Sequence, residues 1–598
     1  MTTLARRADV EREHTWDLEA IFPNLEQWEQ RFAAVERDLP NLARFQGHLG
    51  DSPAALREWL TESERIVQLA SKLFVYARLQ FDQDTTNQEH AALNGRAQGL
   101  MARVAAATAF AEPELLALGQ ERIKELLAGD PELAVYAHAF DDLLRLGAHV
   151  RSGEVEALLA EVSEPLGTPR NAYTALADGD LTFEPAPDAD GATFPVARGT
   201  IANLLDSDDR TLRRNAWRSY ADGFLSVKNT MAALLVGSVR SNVFMARTRG
   251  YPSALEASLA ENNVPLQVFE NVIDACNRHL PLWHRYWDIR RRALGLERLE
   301  GCDVFAPLTN ESVDVPYQQS VEWISAGMKP LGDDYVEIMR RGMTEERWVD
   351  IYPNVGKRGG AYSSGTYGTH PYILMSYTGG LKSMSTLAHE LGHSLHSYFS
   401  RRDQPFVYSR YTLFVAEVAS NFNQALVRAH LLNERDDRAF QIGLIEEAMG
   451  NFHRYLFVMP ILAQFERHIH AQVEQGQAPT ADSMTRHLAE LLRAGYGPAV
   501  QVDEMRDGID WATFPHMYMN FYVYQYASGI AAANALAAPI AAGDADAVAR
   551  YRKFLSSGGS LYPLEALQVA GIDMATPEPM DRAFNVMEGF VDRLDELV

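Results

Sequence analysis

The stretch Thr386-Leu-Ala-His-Glu-Leu-Gly-His-Ser-Leu-His-Ser397 decides how this chain is read. His389 and His393 are four residues apart, so on a helix both imidazoles project from one face and reach a single metal ion. Glu390, one residue after the first histidine, then stands beside that metal, where a base for a bound water belongs. With 17 histidines among 598 residues, chance supplies about 0.03 such His-Glu-x-x-His patterns. Leu387, Leu391, Leu395 and Phe399 recur every fourth residue as an apolar stripe. At about 100° per residue the two histidines lie roughly 160° from Leu391, turned away from that stripe. A helix running through the motif to about Phe399 would bury its leucines and offer its histidines to a cleft. Ser383 or Ser385 is placed to cap its start.

Two histidines do not complete a catalytic zinc site, which takes one further protein ligand and leaves a position for water. His396 lies near the same helical face, but seven residues at about 1.5 Å each separate it from His389 by about 10.5 Å along the axis, a strained reach for one ion. Glu417, in the apolar segment Leu413-Phe-Val-Ala-Glu-Val-Ala-Ser-Asn-Phe-Asn423, is the better candidate. The 24 residues after His393 accommodate a helix end, a loop and a return. Its apolar neighbours also make an unpaired carboxylate costly there, and a metal would compensate it. His396 is expected to pack or to support a ligand.

Upstream, Trp348 to Gly380 is rich in Gly and Tyr, with strand-like runs Val349 to Tyr352 and Pro371 to Tyr377. The second run alternates between two faces, and Gly379-Gly380 ends it. Its edge is expected to be free for an extended peptide to join as a strand, the alternative being a purely structural strand. Elsewhere helical periodicity dominates. It runs from Leu25 to about Leu176, with alanine-rich stretches such as Met101 to Ala111 suited to tight packing, resumes from Arg210 to Arg292, and returns after Leu381. Leu181 to Val196 reads as a small hairpin or loop, and Cys302 to Leu308 as a short strand. We expect an N-terminal helical lobe over residues 1–200 and a catalytic domain over 201–598.

The formal charge of −25 excludes a nucleic-acid role, which rests on clustered Lys and Arg. Cys276 and Cys302 are too few for a disulfide scaffold and read as unpaired thiols of a reducing compartment. Met1 to Ala20 is charged and has no apolar signal region, and no window of eighteen apolar residues occurs, so a cytoplasmic protein without membrane spans is expected.

Several stretches together resemble the oligoendopeptidase F family of zinc metallopeptidases, relatives of thimet oligopeptidase. They are Thr15-Trp-Asp-Leu-Glu-Ala-Ile-Phe22, Gly356-Lys-Arg-Gly-Gly-Ala-Tyr362, Pro371-Tyr-Ile-Leu374, the histidine motif, Ala416-Glu-Val-Ala-Ser420, Pro515-His516, Phe521-Tyr-Val-Tyr-Gln-Tyr-Ala527 and Phe554-Leu-Ser-Ser-Gly-Gly559. The resemblance implies one Zn²⁺ per chain held by His389, His393 and Glu417, with Glu390 as catalytic base. It implies a mainly α, two-lobed zincin-type metallopeptidase, with a small β-sheet beside the zinc helix and a deep channel that admits short peptides. Gln424 departs from the pattern, where a Glu is expected; its amide can still orient a ligand.

His516, Tyr518, Tyr522, Tyr524 and Tyr526 crowd one segment, and on a helix Tyr518, Tyr522 and Tyr526 would share a face. By themselves they read as an aromatic core stripe or as donors to a tetrahedral oxyanion. The resemblance favours donors, with His516, Tyr522 and Tyr526 catalytic. Tyr518, Tyr524, Gly359, Gly360 and Tyr372 are expected along the substrate path. His468 and His470 lack a ligand pattern and read as surface residues. The function that results is zinc-dependent cleavage of internal bonds in short peptides. The alternatives are a zinc carboxypeptidase of similar fold and a peptide-binding protein with a vestigial site.

Overall fold

Helices form wherever apolar residues recur at helical spacing behind a capping side chain. Asn24 accepts the Gln27 N–H to open helix Leu25–Asp38, which buries Trp28, Phe32 and Val35. Ser52 caps helix Pro53–Gln83 through the Ala55 N–H, with Pro53 at its first position. The computed structural model describes residues 4–309, 311 and 313–598, and helices dominate them from end to end, with only short strands between. Among the described residues no helix is long and apolar enough to cross a membrane.

The chain forms two units, each discontinuous in sequence. One comprises Met1–Ala148, Asp314–Leu431 and Leu536–Gly571; the other comprises His149–Val313, Leu432–Ala535 and Ile572–Val598. The boundary expected at residue 200 falls inside the second unit. That unit contains the hairpin, in which Ala186–Pro187 pairs antiparallel with Thr193–Phe194. A short strand does lie near Cys302, but at Leu299–Glu300, parallel to Val500–Gln501; Cys302 itself sits in a 3₁₀ turn. The alanines after Met101 do not pack tightly: Ala102, Ala105 and Ala106 are exposed while Val104 faces the core.

The first unit holds the histidine motif and a three-stranded sheet. Tyr372–Leu374 is the central strand, parallel to Val349–Asp350 on one side and antiparallel to Tyr362–Ser364 on the other. The expected free edge on Pro371 to Tyr377 is therefore absent. Tyr372, Ile373 and Leu374 are all buried, because a strand covered on both faces takes apolar residues at every position. The half-exposed outer strand is Tyr362–Ser364.

Buried charge pairs tie this sheet to the helices beneath it. Asp350 is fully buried and takes two hydrogen bonds from Arg7 at 2.9 and 2.6 Å and an ion pair from Lys357 Nζ at 2.7 Å. Buried Asp82, on helix Pro53–Gln83, receives Arg358 at 3.1 Å and the Tyr362 hydroxyl at 2.6 Å. Lys357 and Arg358 of the stretch Gly356 to Tyr362 thus add counter-charges to two buried aspartates, and Asp82 holds the outer strand through Tyr362.

Candidate active site

The motif helix runs Leu381–Asp403, so it starts before both candidate serine caps. Neither caps it: Ser383 Oγ reaches back to accept the Thr378 N–H at 3.1 Å, and Ser385 turns toward the site. Leu387, Leu391 and Leu395 are completely buried. The opposite face carries His389 and His393, whose rings stand 4.9 Å apart and nearly perpendicular. Their side chains keep 16% and 19% exposure, enough to admit a ligand between them.

Helix Leu413–Glu434 brings Glu417 to the pair. Its Oε2 lies 3.3 Å from His389 Nε2 and 3.8 Å from His393 Nε2. One donor atom from each of the three residues falls within 4.8 Å of the others. Gly392 makes this approach possible. A Cβ there would stand 2.5 Å from Ser420 Cα and 2.6 Å from the Ala419 carbonyl carbon, with the Ala419 oxygen closer still. Only a hydrogen at that position lets the two helix backbones come so near.

Partners outside the trio fix its geometry. Gln424 Nε2 donates to Ser385 Oγ at 2.7 Å, which turns the amide oxygen toward His389 Nδ1 at 3.0 Å. Nδ1–H donates to that oxygen, which turns Nε2 toward Glu417. Without metal Nε2 is protonated as well: burial opposes the charge, but the Glu417 carboxylate outweighs it and raises the His389 pKa to about 9, and a bound ion would take that proton's place. The departure at Gln424 keeps the orienting hydrogen bond that a carboxylate would make. Ser420 Oγ donates to Glu417 Oε2 at 2.9 Å. Burial opposes ionisation of Glu417, but the His389 hydrogen bond and the two imidazoles outweigh it and hold the carboxyl down at about 2. Two imidazoles and an ionised carboxylate form the donor set of a catalytic zinc site.

Glu390 is buried beside these groups, with Oε2 lacking a hydrogen-bond partner among the described residues. Burial pushes its carboxyl up to about 7, opposed by the His389 charge and reinforced by Glu417. Ser394 Oγ pairs with Ser363 Oγ at 2.8 Å and ties the motif helix to the outer strand. His396 is no ligand: it is buried and stacks on Tyr411 at 3.6 Å. The Tyr411 hydroxyl donates to the His393 carbonyl at 3.3 Å.

Gly359 and Gly360 are exposed just before the outer strand, with open space where a Cβ would be. Tyr372 is wholly buried, donates to the Asp17 carbonyl at 3.0 Å and packs on Trp16, so its side chain serves the core.

In the second unit the tyrosines do not share one helical face. A 3₁₀ turn, Pro515–Tyr518, is separated from helix Tyr524–Ala541 by a bend at Phe521, whose φ is +52°. Tyr518 turns into the core against Tyr173, and buried Tyr524 packs on Phe269. Tyr522 and Tyr526 gather on His516, with ring centroids 6.0 and 5.8 Å from it, and Tyr526 Oη lies 3.4 Å from His516 Nε2. Burial, with Arg454 adding, holds the His516 imidazole below its ordinary pKa and so neutral, with one N–H to donate. His468 is exposed as expected, but His470 is buried; its Nδ1 bonds the Glu466 carbonyl and its Nε2 lies 3.2 Å from Asn242.

Known proteins resemble this chain along its whole length. The profile of peptidase family M3 matches residues 203–586, and that of oligopeptidase F matches residues 114–183. Oligopeptidase PepF of Bacillus subtilis is 39% identical over 100% of this chain and 89% of its own length. Group B oligopeptidase PepB of Streptococcus agalactiae is 35% identical over 99% of this chain and 98% of its own. The crystal structure of oligoendopeptidase-F from Enterococcus faecium superposes with a TM-score of 0.75 at 29% identity, covering 96% of this chain and 99% of that one. The fold and these relatives together make this chain a metallopeptidase, a member of peptidase family M3.

Proposed function

We propose that this protein is a cytoplasmic zinc endopeptidase that hydrolyses internal bonds of short peptides, with one Zn²⁺ per chain. The observation that carries the reading is the convergence of His389, His393 and Glu417 on one point, with buried Glu390 beside it. When bound by those three residues, zinc supplies Lewis acidity to the scissile carbonyl and to the attacking water. Gln424 keeps His389 in the tautomer that binds metal. Glu390, buried beside the trio, takes the water's proton and passes it to the leaving amine. The outer strand Tyr362–Ser364, half-exposed, offers backbone groups that an extended peptide can pair with. His516, Tyr522 and Tyr526 supply N–H and O–H donors suited to the oxyanion of the tetrahedral intermediate. The two buried unpaired cysteines accord with a reducing compartment.

Product mapping on a peptide blocked at both ends tests the reading. Internal cleavage is expected, whereas release of only a C-terminal residue from unblocked peptide would indicate a carboxypeptidase. Glu390→Gln should keep fold and zinc yet lose turnover; comparable turnover in that variant would remove Glu390 from the mechanism.

A further inference from the structure

Phe521 sits in the left-handed region at φ +52°, a conformation that an L-residue with a bulky side chain holds only where its surroundings impose it. Three contacts impose it here. Glu466 Oε1 accepts the Phe521 N–H at 2.7 Å in a fully buried setting. Ser258 Oγ donates to the preceding carbonyl, that of Asn520, at 2.8 Å. The Phe521 ring is lodged against His470, at 4.5 Å, and Phe269, at 6.0 Å.

Glu466 is the unusual member. It is completely buried, and Oε2 meets no hydrogen-bond donor among the described residues. Burying a carboxyl to make a single hydrogen bond is expensive, so that one bond has to matter to what the turn holds. Its effect is legible in the tyrosines. A continuous helix would stack Tyr518, Tyr522 and Tyr526 on one face; the bend sends Tyr518 to the core and folds Tyr522 and Tyr526 back onto His516. The backbone bonds Met519 N–H to His516 O at 2.9 Å and Tyr522 N–H to Met519 O at 2.8 Å complete the reversal.

We infer that Glu466 is a positioning residue: by holding the Phe521 N–H it fixes the strained turn that brings Tyr522 and Tyr526 against His516. The inference rests on the proposal that this trio donates to the oxyanion. Substitution at position 466 should therefore change the chemical step and leave substrate binding nearly untouched.

The test uses the full-length zinc-loaded protein and a quenched peptide capped at both ends. Glu466→Leu removes the acceptor and should lower kcat about ten- to a hundredfold with KM little changed. Glu466→Gln keeps an acceptor oxygen and should restore most of kcat. Hydrogen exchange of the 516–526 segment should be slow in wild type and in Glu466→Gln and fast in Glu466→Leu. Ser258→Ala, a milder change to the same turn, should lower kcat by a smaller factor. It decides the matter if Glu466→Leu does not fold, since an unchanged kcat in Ser258→Ala would then overturn the inference. A folded Glu466→Leu with wild-type kcat overturns it as well. His516→Ala and Tyr526→Phe serve as controls. If they keep full kcat, the oxyanion assignment fails and this inference with it. If they lose kcat while folded position-466 variants do not, only the positioning role fails.

Discussion

Gly392→Ala is the substitution for which the structure dictates the largest effect from the fewest atoms. The added methyl would meet Ser420 Cα at 2.5 Å, about 0.9 Å short of the 3.4 Å at which ordinary contact begins, and the Ala419 backbone would be equally crowded. Both obstacles are backbone of the helix that carries Glu417, so no side chain can swing aside. The helices must separate by most of that shortfall, and overpacking of this kind costs about 1–3 kcal/mol. The separation also draws Glu417 from the imidazoles, from which it now stands 3.3 and 3.8 Å. Misplacing a site by about 1 Å costs on the order of a hundredfold in rate. Thermal unfolding in excess chelator isolates the packing cost, competition with a chromophoric chelator gives zinc affinity, and hydrolysis of a capped peptide gives kcat. All three should worsen. A variant with wild-type zinc affinity and kcat would refute the claim that this helix contact positions the third ligand.

Three other substitutions have equally definite outcomes. Gln424→Leu removes the acceptor for His389 Nδ1–H and should weaken zinc binding about ten- to a hundredfold in chelator competition, with the fold intact by circular dichroism. Lys357→Met leaves buried Asp350 with Arg7 as its one charged partner among the described residues and should lower stability in urea by about 1.5–3 kcal/mol; no loss would show that Arg7 suffices. Asp303 is buried under Arg210 and Arg213, and although burial opposes its ionisation, the Arg210 hydrogen bond and further contacts hold its pKa below the ordinary 3.8. A depressed carboxyl contributes stability that is full above the unfolded pKa and lost as pH falls through the folded one. The stability gap between wild type and Asp303→Asn should therefore be widest near neutral pH and shrink below about pH 3.8 in urea melts; a gap constant down to the lowest accessible pH would contradict this.

The convergence of His389, His393 and Glu417 was legible in sequence because it obeys local rules. Spacing by four puts His389 and His393 on one helical face, and the apolar company of Glu417 marked a carboxylate that needed compensation. Gln424 lies two turns beyond Glu417, on the same face, so its orienting role was within reach of the same reasoning. Strand order was not legible. Pro371 to Tyr377 shows alternation, but alternation does not reveal which strands flank it, and the outer strand proved to be Tyr362–Ser364. The helix start was misread for a related reason: Ser383 and Ser385 have the right chemistry, yet the backbone turns helical already at Leu381, and their hydroxyls serve Thr378 and Gln424. The tyrosine cluster failed as a helix because Phe521 adopts a left-handed φ that no propensity predicts for phenylalanine; it is imposed by residues distant in sequence, Glu466 and Ser258. His470 looked like a surface residue for the same reason, since its partner Asn242 is far along the chain.

Cleavage of a peptide capped at both ends, followed while metal is stripped and returned, tests the central claim most directly. Activity should disappear with a strong chelator, return in proportion to added zinc up to one ion per chain, and yield fragments cut at internal bonds. Undiminished cleavage by protein verified to be free of metal would contradict it.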